Sequence, residues 1–251
     1  MGVVRLVQFT DTHLHADASS AMRGTNTLET LRRTLASAHD ALVDADAILH
    51  TGDAVHDEAG GYLWLQRELG AFGKPVLCIP GNHDDPLAMR RMLPAPFEHG
   101  GHRDFGAWRI VMLDSRLEGE AAGGLASAEL NRLDAALGAT QSAAHRHALV
   151  VLHHHPVPMH STWLDEIGLR NSDEFFAIVD RHVAVRSVLW GHVHQEFDAE
   201  RRGVRLLGTP STCLQFLPRV ADFTLDSRPP AFRTLALHDD GRIDTHVNWV
   251  H

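Results

Sequence analysis

Cysteine is scarce: Cys78 and Cys213 are the two in a chain of 251 residues. That is too few for a disulfide framework, and a reducing, cytoplasmic setting is expected. Long apolar runs are missing too. No stretch approaches the roughly 20 residues that span a bilayer. The opening MGVVRLVQFTD has no basic segment leading into a long apolar one, so no leader peptide and no membrane partner are expected. Basic clusters are the third absence. Arginines occur as the pairs 32–33, 90–91 and 201–202, and the formal net charge is −9. Polymeric nucleic acid, bound through clustered Lys and Arg, is therefore not an expected partner. A small anionic substrate stays open if a local cation neutralises it.

Histidine is abundant instead, with 20 residues scattered through the chain and five between positions 145 and 155. Imidazole is both a metal ligand and a general acid or base near neutral pH, so placement decides its meaning. Short apolar runs rich in branched residues recur: VVRLVQF (3–9), DAILHT (46–51), PVLCI (75–79), RIVML (109–113), ALVVL (148–152) and VRSVLW (185–190). They are too short for helices and lack clean alternation, as buried strands do. Helical patterns lie at 27–43, 62–72, 126–137 and 171–180, the last opened by Asn171 with Glu174 as a capping box. The last third reads as strands at 203–208, 232–238 and 242–249, with a hairpin turn at 239–241 and a long ordered loop at 217–230. An α/β fold of two facing sheets with helices outside is predicted, in one domain over 1–251.

Five of these strands end in polar clusters. Asp11-Thr12-His13 follows the first, Gly52-Asp53 the second and Gly81-Asn82-His83-Asp84 the third. His153-His154-His155 follows ALVVL, and Gly191-His192-Val193-His194 follows VRSVLW. Each could be a turn, but loops beyond the carboxyl ends of strands form the ligand crevice of α/β sheets, and five such ends can converge there. Carboxylates, imidazoles and one amide oxygen make a mixed O/N donor set suited to Mn, Fe, Co or Zn. Asp53 has two carboxylate oxygens with which to bridge two ions. A pair about 3.5–4 Å apart holds a hydroxide nucleophile and a phosphoryl oxygen together. In the histidine triplet, alternation along an extended strand offers either His154 alone or His153 with His155.

In this order, Asp11-x-His13, Gly52-Asp53, Gly81-Asn82-His83-Asp84, His154-x-Pro156 and Gly191-His192-x-His194 resemble the calcineurin-like metallophosphoesterase superfamily. The resemblance implies a four-layer αββα sandwich, with two mixed sheets flanked by helices and a dinuclear metal site at the strand C-terminal ends. It implies Asp11, His13, Asp53 and His194 around one metal, and Asp53, Asn82, His154 and His192 around the other. Of the triplet it selects His154. It sets His83 beside the substrate as a catalytic group, with Asn82 touching substrate as well. Two ions, Mn or Fe foremost and Zn or Co as alternatives, are the implied cofactors.

A narrower resemblance covers most of the chain. DTHLHAD, NTLETL, GNHDD, HHHPVPMHSTWLDEIGLRN and TPSTCLQFLPRVADFTLDSRPPAFRTLALHDDG are similar to bacterial class III cyclic nucleotide phosphodiesterases, the 3′,5′-cyclic-AMP phosphodiesterase family. AVHDEAG, after Gly52-Asp53, matches less well. The implied activity is hydrolysis of 3′,5′-cyclic nucleotides, cyclic AMP foremost, to 5′-monophosphates, with a small phosphodiester as partner and a homo-oligomer as an open assembly. The alternative on the same site is a phosphodiesterase or phosphomonoesterase of broad specificity. Trp163, Arg170, Asn171, His155 and Cys213 are neighbours with no assigned role.

Overall fold

A computed structural model of the chain describes residues 2–140 and 146–251; His145, one of the clustered histidines, lies outside them. Two six-stranded mixed sheets face each other. The first has the order Ile243–Trp249, Ala231–His238, Val3–Phe9, Ala47–Thr51, Val76–Ile79, Phe97–His99. The second runs Phe197–Arg201, Val204–Gly208, Val185–Trp190, His147–Val151, Trp108–Met112, Gly101–Phe105. In each sheet the central strands are parallel. Antiparallel strands close the rims beyond Val3–Phe9 in the first sheet and at both edges of the second.

Side-chain alternation sorts every central strand into two layers. Val4 and Leu6, Ala47 and Leu49, and Leu77 and Ile79 meet Ile110, Met112, Leu149, Val151 and Leu189 in the core between the sheets. The alternate residues Val7, Phe9, Ile48, Val76 and Cys78 pack outward against Leu28, Leu31, Leu35, Leu65 and Leu69 of the helices Thr27–Ser37 and Tyr62–Gly70. On the far side Val111, Val150, Val188 and Trp190 meet Leu133, Leu137, Phe175 and Val179 of Ser127–Thr140 and Ser172–Val179. Helix, sheet, sheet and helix form the four expected layers.

Three details differ from the sequence expectation. The single helix expected over 27–43 is two, Thr27–Ser37 and His39–Asp44, divided at Ala38. Asn171 precedes its helix but does not cap it: its side chain bonds both backbone groups of Leu125, at 2.9 Å each. The 217–230 loop contains a short strand, Leu225–Asp226, paired with Gln215–Phe216. Among the described residues no helix is long and apolar enough to cross a membrane.

Candidate metal centre

The loops after four parallel strands of the two sheets, and after Val76–Ile79, meet at one end of the sandwich. The first two loops continue pairing past their strands: Asp11 N–H donates to Gly52 O, and His13 N–H to Asp53 O, both at 3.0 Å. This ladder sets Asp11, His13 and Asp53 in register. All three, with His192 and His194, lie at φ between 45° and 66°. L-residues pay of order 1 kcal/mol or more there, and such strain concentrates at functional sites. Glycines make room. A Cβ on Gly191 would stand 2.0 Å from Thr10 Oγ1 and 2.8 Å from Asp11 Oδ2, and one on Gly81 would stand 2.2 Å from Asp53 Oδ1.

Two donor groups share Asp53. In one, His13 Nε2 and His194 Nε2 are 3.2 Å apart, His194 Nε2 is 3.4 Å from Asp11 Oδ1, and His13 Nε2 is 3.7 Å from Asp53 Oδ2. In the other, His153 Nε2 is 3.3 Å from both Asp53 Oδ2 and His192 Nδ1. Asn82 Oδ1 is buried and has no hydrogen-bond partner among the described residues. One oxygen of Asp53, Oδ2, faces both groups. The other, Oδ1, accepts the His83 backbone N–H at 2.9 Å.

His154, expected as a ligand, sits between Ser115 and the donor groups. Its Nδ1 bonds Ser115 Oγ at 2.8 Å, Nε2 has no partner among the described residues, and the imidazole beside Asp53 is that of His153. The alternation argument assumed an extended chain through the triplet. The strand stops at Val151 and the backbone bends at 153–154, so face alternation no longer applies. One nitrogen of His154 still lies within 4.8 Å of nitrogens of His153 and His192.

The donor set fits cations. His194 Nδ1 donates to Leu214 O at 2.7 Å, and His153 Nδ1 to Thr51 O at 2.8 Å. The first bond fixes the tautomer that leaves His194 Nε2 as a lone-pair donor, as the outer hydrogen bonds of metal-bound imidazoles do. Facing lone pairs of His13 and His194 at 3.2 Å repel unless positive charge lies between them. Burial holds His13 and His192 well below the usual imidazole range, and hence neutral. Burial also pushes Asp11 and Asp53 up, but the facing imidazoles outweigh it, His194 for Asp11 and His153 for Asp53, so both are carboxylates. Burial alone would lower His153; Asp53 and Asp11 raise it to about 9, so without metal it carries the proton that balances them.

Several supporting side chains had no role assigned from the sequence, although Asp84 belongs to the Gly-Asn-His-Asp cluster. Asp84 accepts Gly81 N–H at 2.8 Å, Ala54 N–H at 3.1 Å and Tyr62 O–H at 2.9 Å, tying two of the loops together. The poorly matching AVHDEAG segment supplies three contacts. His56 Nδ1 lies 3.2 Å from His13 Nδ1, Asp57 Oδ1 3.0 Å from His83 Nδ1, and Glu58 Oε1 3.1 Å from His15 Nδ1. Their exposure and loop placement hid them; only their nearness to Asp53 in sequence was a hint.

His13, Asp53, Asn82, His192 and His194 line a cavity of about 450 Å³ with His83, and Trp163, Phe216 and Phe223 line it as well. Arg170 and Asn171 are elsewhere. Arg170 is exposed and paired with Glu120, and Asn171 is spent on Leu125. Cys213 is buried against Ser211 Oγ, and burial pushes its thiol up to about 12. His155 is buried, stacked on His192 and 3.9 Å from Asp165.

The family model for calcineurin-like phosphoesterases matches residues 4–196. The chain belongs to the calcineurin-like phosphoesterase family. It is 40% identical over 98% of its length to the 3′,5′-cyclic adenosine monophosphate phosphodiesterase CpdA of Pseudomonas aeruginosa, covering 90% of that protein. It is 39% identical to CpdA of Escherichia coli K12, covering 98% of this chain and 89% of that one. Identity to the 3′,5′-cyclic-nucleotide phosphodiesterase alr5338 of Nostoc is 34%, covering 98% and 92%. Among solved structures, a dimetal phosphatase from Danio rerio superposes over 99% of both chains with a TM-score of 0.66 at 13% identity. TT1561 of Thermus thermophilus does so over both full chains with a TM-score of 0.60 at 15% identity. These last two speak for the fold.

Proposed function

We propose that the chain is a dinuclear metal-dependent phosphodiesterase that hydrolyses 3′,5′-cyclic AMP to 5′-AMP. The observation that carries this reading is Asp53 Oδ2, set between two imidazole-rich donor groups and lining the cavity. Near-full-length similarity to cyclic AMP phosphodiesterases supports the choice of substrate.

Asp11, His13, Asp53 and His194 would hold one ion; Asp53, Asn82, His154 and His192 the other, with the buried, unpartnered Asn82 Oδ1, His154 Nε2 and His192 Nε2 supporting that set. Mn or Fe suits this O/N set best, with Zn and Co as alternatives. Bound there, the pair supplies Lewis-acid stabilisation of phosphoryl charge and acidifies water. The residues do the rest. Water adds to phosphorus, the P–O3′ bond breaks, and the departing O3′ takes a proton. His83 is placed to give it. Its Nδ1 is engaged by Asp57, which leaves Nε2 to carry that proton. His83 is partly exposed, with 29% of its side chain accessible, so it can meet a substrate directly. Asn82, beside it, contacts the same phosphate. Both cysteines are free and buried, which suits a reducing compartment, and we place the activity in the cytoplasm.

The test is a substrate panel on Mn- or Fe-loaded protein: cyclic AMP, cyclic GMP, 2′,3′-cyclic AMP and bis(p-nitrophenyl) phosphate. Cyclic AMP should give 5′-AMP with the highest kcat/KM. Good aryl diester turnover with none of the cyclic nucleotides hydrolysed would replace this reading with the broad-specificity phosphodiesterase.

A further inference from the structure

Part of the cavity wall is aromatic. Trp163, Phe216 and Phe223 pack edge-to-face in a triangle, with ring centroids 5.1–5.3 Å apart. Three segments distant in sequence build it. The short helix Thr162–Asp165 brings Trp163, the strand Gln215–Phe216 brings Phe216, and the loop before Leu225–Asp226 brings Phe223. Trp163 N–H donates to Ala221 O at 3.2 Å, and Ser161 Oγ accepts Arg219 N–H at 2.9 Å, so helix and loop are fastened together. The wall is also referenced to the metal centre. Phe216 lies flat on His194, 3.9 Å between centroids and 6° from parallel.

This end of the cavity offers donors and little negative charge. The Arg23 guanidinium lies 4.5 Å over the Phe223 ring and has no hydrogen bond or ion pair given among the described residues. Trp163 Nε1 is buried without a partner there. Asp53 is the sole carboxylate among the described residues lining the cavity. Phe223 keeps 37% of its surface exposed, and an aromatic ring left open in a cavity has a face to lend. A heteroaromatic base with an acceptor-rich edge matches this combination, since stacking supplies affinity and the Arg23 N–H groups meet ring nitrogens.

We propose that Trp163, Phe223 and Arg23 form the base subsite of this enzyme and favour a purine over a pyrimidine, through the larger stacking area of the purine. This rests on the phosphodiesterase reading above and assigns it a substrate half. It explains why the strand ends alone carried no information about the base: all its residues lie on segments that bear none of the proposed metal ligands.

The experiment compares Mn-loaded wild type, Phe223→Ala and Phe223→Tyr. Substrates are 3′,5′-cyclic AMP, 3′,5′-cyclic CMP and the base-free methyl riboside 3′,5′-cyclic phosphate; 5′-AMP binding is measured by titration calorimetry. Loss of a stacking face is worth about tenfold. Phe223→Ala should raise KM for cyclic AMP, and weaken 5′-AMP binding, by about that factor. It should shrink the preference over cyclic CMP and move KM for the base-free ester less than about twofold. Phe223→Tyr should restore the wild-type values. Cyclic AMP hydrolysis that ignores Phe223, or an equal loss on all three substrates, overturns the subsite and leaves the phosphodiesterase reading standing. Phe223-dependent 5′-AMP binding without cyclic phosphate turnover overturns that reading and keeps the subsite. Neither binding nor turnover overturns both.

Discussion

Replacing His153 and His154 one at a time by alanine separates the roles of two neighbouring imidazoles. His154 Nε2 is buried without a partner among the described residues, whereas His153 Nε2 lies 3.3 Å from both Asp53 Oδ2 and His192 Nδ1. Loss of His154 leaves the second group three donors, Asp53, Asn82 and His192. Changes one shell further out commonly cost 10–100-fold in metal affinity, so deletion of a direct donor should exceed about 100-fold. His153→Ala leaves all four donors in place, and its cost lies in stability. Protonated His153 faces buried Asp53 and Asp11, and breaking such a pairing costs about 3–5 kcal/mol. Metal analysis by inductively coupled plasma, with thermal melts of stripped and loaded protein, reads both effects. His154→Ala should carry one ion per chain and His153→Ala two. Equal metal loss in both variants, or loss in His153→Ala alone, would refute the assignment.

Other outcomes follow from the same geometry. Gly191→Ala should lose metal and at least about 100-fold in activity while still folding, because Thr10 and Asp11 must retreat by roughly 1 Å; wild-type kinetics would show that the cradle tolerates a methyl group. His83→Ala should keep both metals and lower kcat by about 10²–10⁴, and Asp57→Asn should lower kcat by a smaller factor with KM little changed; metal loss in His83→Ala would place that imidazole on an ion instead. Tyr62→Phe removes the O–H bond to buried Asp84 and should cost about 1–3 kcal/mol in urea unfolding; an unchanged midpoint would mean the Asp84 anchor is not under load.

The elements that position the site were readable because their signals are local. VVRLVQF and VRSVLW appear as strands with the expected bounds, since each is apolar on both faces. The edge strands Gly101–Phe105 and Phe197–Arg201 were not, because edges carry charge and bury little; GHRDF and FDAER have no apolar run. At the site, residue types at strand ends led to Asp11, His13, Asp53, Asn82, His192 and His194. In the triplet the alternation argument had no extended strand to act on: the strand ends at Val151, two residues before the first histidine. The left-handed backbone of five candidate ligands is invisible in residue identity, since none of them is glycine. Ser115, His56 and Asp57 meet the site only through tertiary contacts and so had no sequence pattern.

The central claim is a two-metal cyclic nucleotide phosphodiesterase built on Asp53 Oδ2. Its most direct test is titration of metal-stripped protein with Mn while cyclic AMP hydrolysis is followed by 5′-AMP release. Activity should stay low through the first equivalent per chain, rise as the second binds, and vanish in Asp53→Asn. Full activity at one equivalent, metal-independent turnover, or no 5′-AMP from protein holding two ions would contradict it.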